Sequence, residues 1–303
     1  MKINELKKLI KEFDPNVFYN ADMKKKNWFN IGGKTKIFFK ANELKDLVNF
    51  VKTIDNREKI HILGAGSNTL ITDDLYDGII IKLGKNFSRL SVLNSNIIIS
   101  GTAVLDKKLA EYAAENSLSG FEFLTCIPGT IGGGLKMNAG CFGSEIKDIL
   151  VSIQAMDKKG NILTIPAKKI NFDYRNNNLS DDLIFLSASF KGKKQDNQKI
   201  FETMSKLKIQ KDNNQPTKIK TSGSTFKNPI DKTTKKAWEL IKDSIPANTK
   251  FGDASISEKH SNFFVNNGNA SFNDMKKLIN FVEKSVFKKT GIKIEKEIKI
   301  LEN

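Results

Sequence analysis

Leu63-Gly64-Ala65-Gly66-Ser67-Asn68 follows the apolar stretch Lys59-Ile60-His61-Ile62. A buried strand is expected over Lys59–Leu63, running into two glycines that let backbone N–H groups approach an anion, with Ser67 and Asn68 as added polar contacts. The run lacks the third glycine and the long following helix of the dinucleotide-binding fingerprint, so it does not indicate a doubly wound parallel sheet. Taken alone, it fits a plain strand-to-turn junction equally well.

Two further runs lie outward from it. Ile127-Pro128-Gly129-Thr130-Ile131-Gly132-Gly133-Gly134 continues through Lys136-Met137-Asn138-Ala139-Gly140-Cys141-Phe142-Gly143. So many glycines disfavour helix and strand, at up to about 1 kcal/mol each against alanine, so something else must require the bare backbone. A flat ring or a diphosphate lying on it would supply a reason, and so would a tight loop crossing. The third run is Ser222-Gly223-Ser224-Thr225-Phe226-Lys227-Asn228-Pro229. Any of the three could be a turn. In this order they point to a phosphate-bearing cofactor, a second polar ligand and a hydroxyl between them.

Between these runs the periodicity alternates strands with a few helices. A short amphipathic helix is expected around Leu6–Ile10. Asn42 is placed to cap a helix with Leu44, Leu47, Val48 and Val51 on one face. Strands are expected over Gly78–Leu83 and Asn96–Ser100, and Asp106 starts a helix with Leu109, Ala110, Ala113 and Ala114 inward. Gln210–Lys220, polar and broken by Pro216, reads as a linker. Beyond it, Thr234 is placed to cap a helix carrying Ala237, Leu240 and Ile241. Ser271-Phe272-Asn273-Asp274 reads as a capping box before Met275, Leu278, Ile279, Val282 and Val286, with Gly291 as the stop. A last strand puts Ile292, Ile294, Ile298 and Ile300 on one face and Lys293, Glu295, Glu297 and Lys299 on the other.

The 303 residues allow two or three domains with buried cores. No stretch approaches a membrane span, and the N-terminus has no apolar signal core, so a cytoplasmic protein is expected. Cys126 and Cys141 have no CxxC or histidine cluster beside them, which excludes a disulfide framework and a zinc site and leaves packing thiols. The net charge of +16 invites nucleic acid, but the lysines are spread along the whole chain rather than gathered, and anionic small molecules answer the same charge. No nucleic-acid role is expected.

Ser224 has no Asp-His support and no GxSxG elbow, so a proton donor fits it better than a hydrolytic nucleophile, with Lys227 and Asn228 near enough to shape its surroundings. Glu297 stands on a charged strand face, where a solvated carboxylate is the plain alternative. Arg175, in Phe172-Asp173-Tyr174-Arg175, stands out because arginine is scarce here against lysine. Its planar fork suits carboxylate or phosphate, and a surface ion pair is the plain alternative.

These runs together resemble the UDP-N-acetylenolpyruvoylglucosamine reductases, the MurB family, over nearly the whole chain. The resemblance is carried by Asn27-Trp28-Phe29-Asn30-Ile31-Gly32-Gly33, Leu63–Leu70, Cys126–Gly143, Phe172–Asn177, Ser222–Pro229, Gly252–Asn266 and Ile294–Ile298. It implies an α+β protein with an FAD-binding fold of the PCMH or vanillyl-alcohol-oxidase type in two subdomains, 1–83 and 84–208, and a smaller α+β substrate-binding domain, 209–303. It implies FAD and NADPH as cofactors, reduction of the enolpyruvyl group to UDP-N-acetylmuramate in peptidoglycan precursor synthesis, and a monomer. By resemblance Ser224 supplies the proton, while Arg175 and Glu297 stabilise the enolate. Gly64, Ala65, Gly66, Ser67, Asn68, Gly129, Thr130, Ile131, Gly132, Asn138, Ala139 and Gly140 would hold the cofactor. Tyr174, Lys227, Asn228, His260 and Asn262 would meet the substrate. The chain departs from the pattern at Cys126, where glycine is common, at Asn177, where serine is usual, and at Lys296, where proline separates the two glutamates. A small-alcohol or sugar oxidase of the same fold is the alternative enzyme, and would not need Ser224, Arg175 and Glu297 as a set.

Overall fold

The computed structural model describes residues 3–54, 58–246 and 248–303. Its contacts divide the chain into two units. The first holds the chain up to Tyr19, then Ile37–Ala65 and Gly78–Lys211; the second holds Asn20–Lys36, Gly66–Asp77 and Asp212–Asn303. The chain passes from one to the other within the strands Val17–Asp22, Lys34–Ala41 and Tyr76–Leu83, in the loop after Ala65, and near the end of the helix Asn197–Asn214.

In the first unit an antiparallel sheet runs in the order Ile162–Pro166, Leu150–Met156, Ile184–Lys191, Ile97–Gly101, Leu90–Leu93. The inward residues Ile98, Ile153, Ala155, Ala188 and Phe190 pack with Leu109, Ala110, Ala113 and Ala114 of the helix Asp106–Glu115. That helix presents the face its spacing predicts. A second apolar cluster joins Leu6, Phe13, Phe39, Leu47 and Phe50, with the Phe39 and Phe50 rings stacked at 3.9 Å.

Three local expectations fail here, each through a contact distant in sequence or through helix propensity. The glycine run does form a helix, Ile131–Met137. Tertiary packing overrides propensity: Ile131 N–H donates to the Val104 carbonyl and Gly132 N–H to that of Thr102, at 2.9 and 2.8 Å. A Cβ at Gly134 would lie 2.6 Å from Ile146 Cδ1, so the helix packs closely on that side chain. Asn42 does not cap the helix Leu44–Thr53; Glu43 holds that position, and Asn42 Nδ2 donates to Asn16 Oδ1 at 3.1 Å. The first part of the expected linker is helical, because Asn197–Asn214 is one helix that stops just before Pro216. Its lysines and glutamate favour helix, and only Ile200 and Met204 are buried on it.

In the second unit Phe29, Ile31 and Leu70 share a core with Leu240, Ile241, Phe264, Met275, Leu278, Ile279, Val282 and Val286. The helix Phe272–Thr290 opens on the expected capping box: Asp274 N–H donates to Ser271 Oγ and Ser271 N–H to Asp274 Oδ2, both at 3.0 Å. It ends at Gly291, in the left-handed region at φ 71°. The helix Ala237–Ser244 begins two residues later than Thr234 would place it; Lys236 precedes it, and its N–H donates to Glu239 Oε2 at 2.7 Å. Of the last expected strand only Lys299–Leu301 is regular, pairing parallel with Thr69–Ile71. The alternation survives without the ladder, since Ile294 and Ile298 are buried while Glu295 and Lys299 are exposed.

Candidate active site

Within the first unit the first two glycine runs meet. A Cβ on Gly64 would stand 2.4 Å from Thr130 Oγ1, so only glycine allows this approach. Thr130 is itself fixed by a bridge to Leu105, and the Gly129 carbonyl accepts from Asp106 N–H at 3.2 Å. A Cβ on Gly133 would meet nothing nearer than Thr130 Oγ1 at 3.8 Å, which leaves this stretch of backbone bare. Among the described residues, the N–H groups of Gly64 and Ala65 have no protein acceptor. Successive backbone donors without acceptors suit an anion.

Asn138, expected at the cofactor, is fully buried and left-handed, at φ 44°. Its Nδ2 donates to Glu145 Oε2 and the Asp173 carbonyl, and its Oδ1 accepts from Lys147 N–H. It therefore ties the end of the helix Ile131–Met137 to the turn that carries Arg175. In that turn Asp173 and Asn176 exchange backbone hydrogen bonds, and Arg175 adopts φ 56°. Its Nη2 donates to the Gly140 carbonyl at 2.7 Å, and its guanidinium lies 5.0 Å over the Tyr174 ring. Asn177 is fully buried; its amide links the Leu135 carbonyl to Leu179 N–H, so the asparagine supports the helix from behind.

In the second unit the third run lies between two partner segments. On one side Ser224 bridges Phe263, and Thr225 N–H donates to the Asn262 carbonyl at 2.8 Å. On the other side Phe226 bridges Lys296, Lys227 N–H donates to the Glu295 carbonyl, and Glu297 N–H donates to the Thr225 carbonyl at 2.8 Å. Ser224 and Glu297 are thus carried on adjoining segments. Asn68 joins them, since its Nδ2 donates to the Glu297 carbonyl at 3.0 Å and its own carbonyl accepts from Lys299 N–H. Of the two late glutamates, Glu295 is exposed and Glu297 half-buried.

Asn262, expected at the substrate, is buried and commits both amide atoms to Phe226: Nδ2 to its carbonyl at 2.8 Å and Oδ1 from its N–H at 3.0 Å. Asn228 Oδ1 accepts from Ala237 N–H. His260 Nδ1 accepts from Asn262 N–H, and its ring meets Phe263 at 4.6 Å. Burial lowers its pKa, so the imidazole is neutral near pH 7. Thr221, Ser222 and Thr225 each bury a hydroxyl oxygen that has no hydrogen-bond partner among the described residues. Sequence reasoning missed these hydroxyls, although their residues flank Ser224.

Residues 35–166 match the family of FAD-binding domains, and residues 215–301 match the C-terminal domain of UDP-N-acetylenolpyruvoylglucosamine reductase. A UDP-N-acetylenolpyruvoylglucosamine reductase of Pelagibacter ubique is 62% identical over 99% of this chain and 100% of its own length. The chain belongs to the UDP-N-acetylenolpyruvoylglucosamine reductase family. Another member, from Rickettsia typhi, is 46% identical over 92% of this chain and 93% of its own. The crystal structure of the Thermus caldophilus reductase superposes with a TM-score of 0.81 at 26% identity, covering 94% of this chain and 98% of that one. The fold is therefore the FAD-binding fold expected from the sequence, and the chain is an FAD-dependent oxidoreductase. The unfilled N–H groups of Gly64 and Ala65 fit the FAD diphosphate, and the bare backbone at Gly133 fits a flat ring.

Proposed function

We propose that this chain reduces the enolpyruvyl group of UDP-N-acetylenolpyruvoylglucosamine to UDP-N-acetylmuramate with NADPH, acting in the cytoplasm as a monomer in peptidoglycan precursor synthesis. The observation that carries the reading is the Glu297 N–H bond to the Thr225 carbonyl, which sets Glu297 beside the Ser224 segment. The family membership supports it.

When bound, FAD would supply hydride transfer between NADPH and the enolpyruvyl group. Gly64–Asn68, with Gly129–Gly132, would hold FAD, and Asn138, Ala139 and Gly140 would shape the end of that cradle. Hydride addition to an enol ether beside a carboxylate builds enolate charge on the substrate, so a cation and an acid must face it. Arg175, pre-set by the Gly140 carbonyl and Tyr174, presents its fork to the substrate carboxylate. Glu297 bears the shared proton there. Ser224 Oγ then delivers a proton to the neighbouring carbon. Tyr174, Lys227, Asn228 and neutral His260 contact the UDP-sugar, and Asn262 holds the serine segment in place.

Ser224→Ala separates the steps. Anaerobic NADPH is expected to bleach the flavin bands of the variant at the normal rate. Their return on adding the enolpyruvyl sugar should slow by about 10²- to 10⁴-fold. If bleaching is lost instead, the proton-donor role of Ser224 is wrong; if the bands return only with oxygen, the oxidase reading replaces this one.

A further inference from the structure

The helix Phe272–Thr290 buries one side and leaves the other uncovered. Met275, Leu278, Ile279, Val282 and Val286 enter the core of the second unit. Turned away from them, Lys277, Phe281, Lys284 and Lys288 recur at helical spacing and form one stripe along the helix. Phe287 stands one turn beyond Lys284 on the same side. All five side chains are exposed, Phe281 to 39% and Phe287 to 55%. The Phe281 ring meets that of Phe251 at 5.6 Å and still lies at the surface. The ammonium groups of Lys277, Lys284 and Lys288 have no ion pair and no hydrogen bond among the described residues. The other lysines of the helix are held: Lys276 pairs with Glu302, and Lys289 donates to the Asp243 carbonyl oxygen. The two carboxylates of the helix are also engaged, Asp274 in the capping box and Glu283 with Lys296 Nζ at 3.0 Å.

Bare phenyl rings between unpaired ammonium groups suit a partner that is apolar and anionic at once. We propose that this face of the helix Phe272–Thr290 docks on an anionic lipid surface, with the helix axis in the plane of the bilayer. The three ammonium groups lie at the level of the headgroup phosphates, and the Phe281 and Phe287 rings enter the boundary between headgroups and acyl chains. Peripheral attachment takes two such attractions acting together, one from charge and one from apolar area. Lipid answers these residues better than nucleic acid does. The stripe has no arginine to fork onto a phosphate. From Lys277 to Lys288 it is a straight line of about 16 Å at 1.5 Å per residue, which matches a flat surface rather than a strand lying in a groove. Such docking needs no spanning helix, and no described helix is long and apolar enough to be one.

The test is sedimentation of the FAD-loaded full chain with phosphatidylcholine vesicles made with and without phosphatidylglycerol. The parent should bind only the vesicles that contain phosphatidylglycerol. Lys277→Gln, Lys284→Gln and Lys288→Gln together should weaken that binding about 100-fold, at about fivefold per lysine. Lys199→Gln, Lys206→Gln and Lys208→Gln remove the same charge from the exposed side of the helix Asn197–Asn214 and should leave binding as in the parent. Phe281→Ser with Phe287→Ser keeps every charge and should weaken binding about tenfold. Each variant should keep the flavin spectrum and melting temperature of the parent, which shows that the fold persists. The proposal is overturned if the parent stays in the supernatant with anionic vesicles. It is overturned equally if both triple variants lose the same affinity, so that net charge alone acts, or if the phenylalanine variant binds like the parent. A parent that ignores vesicles but binds a fluorescent oligonucleotide through the same three lysines would make nucleic acid the partner instead.

Discussion

Asp106 is fully buried at the first turn of its helix, and neither carboxylate oxygen has a hydrogen-bond partner among the described residues. Burial pushes its pKa up to about 8, so the folded protein keeps this carboxyl neutral at pH 7 while the unfolded chain ionises it. Unfolding therefore releases a proton. The stabilising effect is complete below the ordinary carboxylate range and is lost as pH rises towards 8. Urea unfolding of the Asp106→Asn variant should lack a slope of about 1.4 kcal/mol per pH unit between about pH 5 and pH 8 that the parent shows. An identical slope in both would mean that the parent carboxyl is ionised and compensated. Single residues were unevenly legible in the sequence. Gly291 and the Ser271–Asp274 pair act on their own neighbours, so their identity sufficed. Asn262, Asn177 and Asn138 each donate to a carbonyl at least 35 residues away, and an asparagine in sequence does not say which carbonyl it will hold.

At the scale of elements, the segment bearing Ser224 has no helix or ladder of its own and depends on two neighbours. Asn262→Ala would leave both polar groups of Phe226 buried and unpartnered, a cost of about 2–4 kcal/mol. The expected outcome is a melting temperature several degrees lower, slower return of the oxidised flavin spectrum with the enolpyruvyl sugar, and unchanged bleaching by NADPH. Gly66→Ala tests the other loop. With φ at 69° and the Lys26 carbonyl oxygen 2.4 Å from the added Cβ, the loop must move. Weaker FAD retention is expected, measured by fluorescence titration of the apoprotein, along with about 1–3 kcal/mol lost from stability. Local spacing exposed the helices Asp106–Glu115 and Phe272–Thr290, whose apolar faces are the ones buried. It missed the helix Ile131–Met137 because the bonds that secure its start come from Thr102 and Val104, outside the run itself.

At the scale of the whole chain, a net charge of +16 raises the local concentration of anions around the protein. Both proposed reactants carry phosphates. The Michaelis constants for NADPH and for the UDP-sugar should therefore rise as salt is increased from about 0.01 M, where charges act over about 30 Å, to about 0.15 M, where they act over about 8 Å. The maximal rate should change little. Flat constants across that range would mean that the lysines play no part in capture.

Synthesis on the ribosome gives the division of the chain a temporal meaning. Phe29, Ile31 and Leu70 emerge early, yet the residues that bury them, from Phe226 to Ile298, are made last. The nascent second unit must wait with its first aromatic and aliphatic side chains uncovered, while the continuous sheet of the first unit, Leu90–Lys191, can close as soon as it is complete. A message broken after Lys211 would release a chain whose first unit has all its segments and whose second unit has only Asn20–Lys36 and Gly66–Asp77, leaving Phe29, Ile31 and Leu70 without the core that buries them and open to chaperones and proteases.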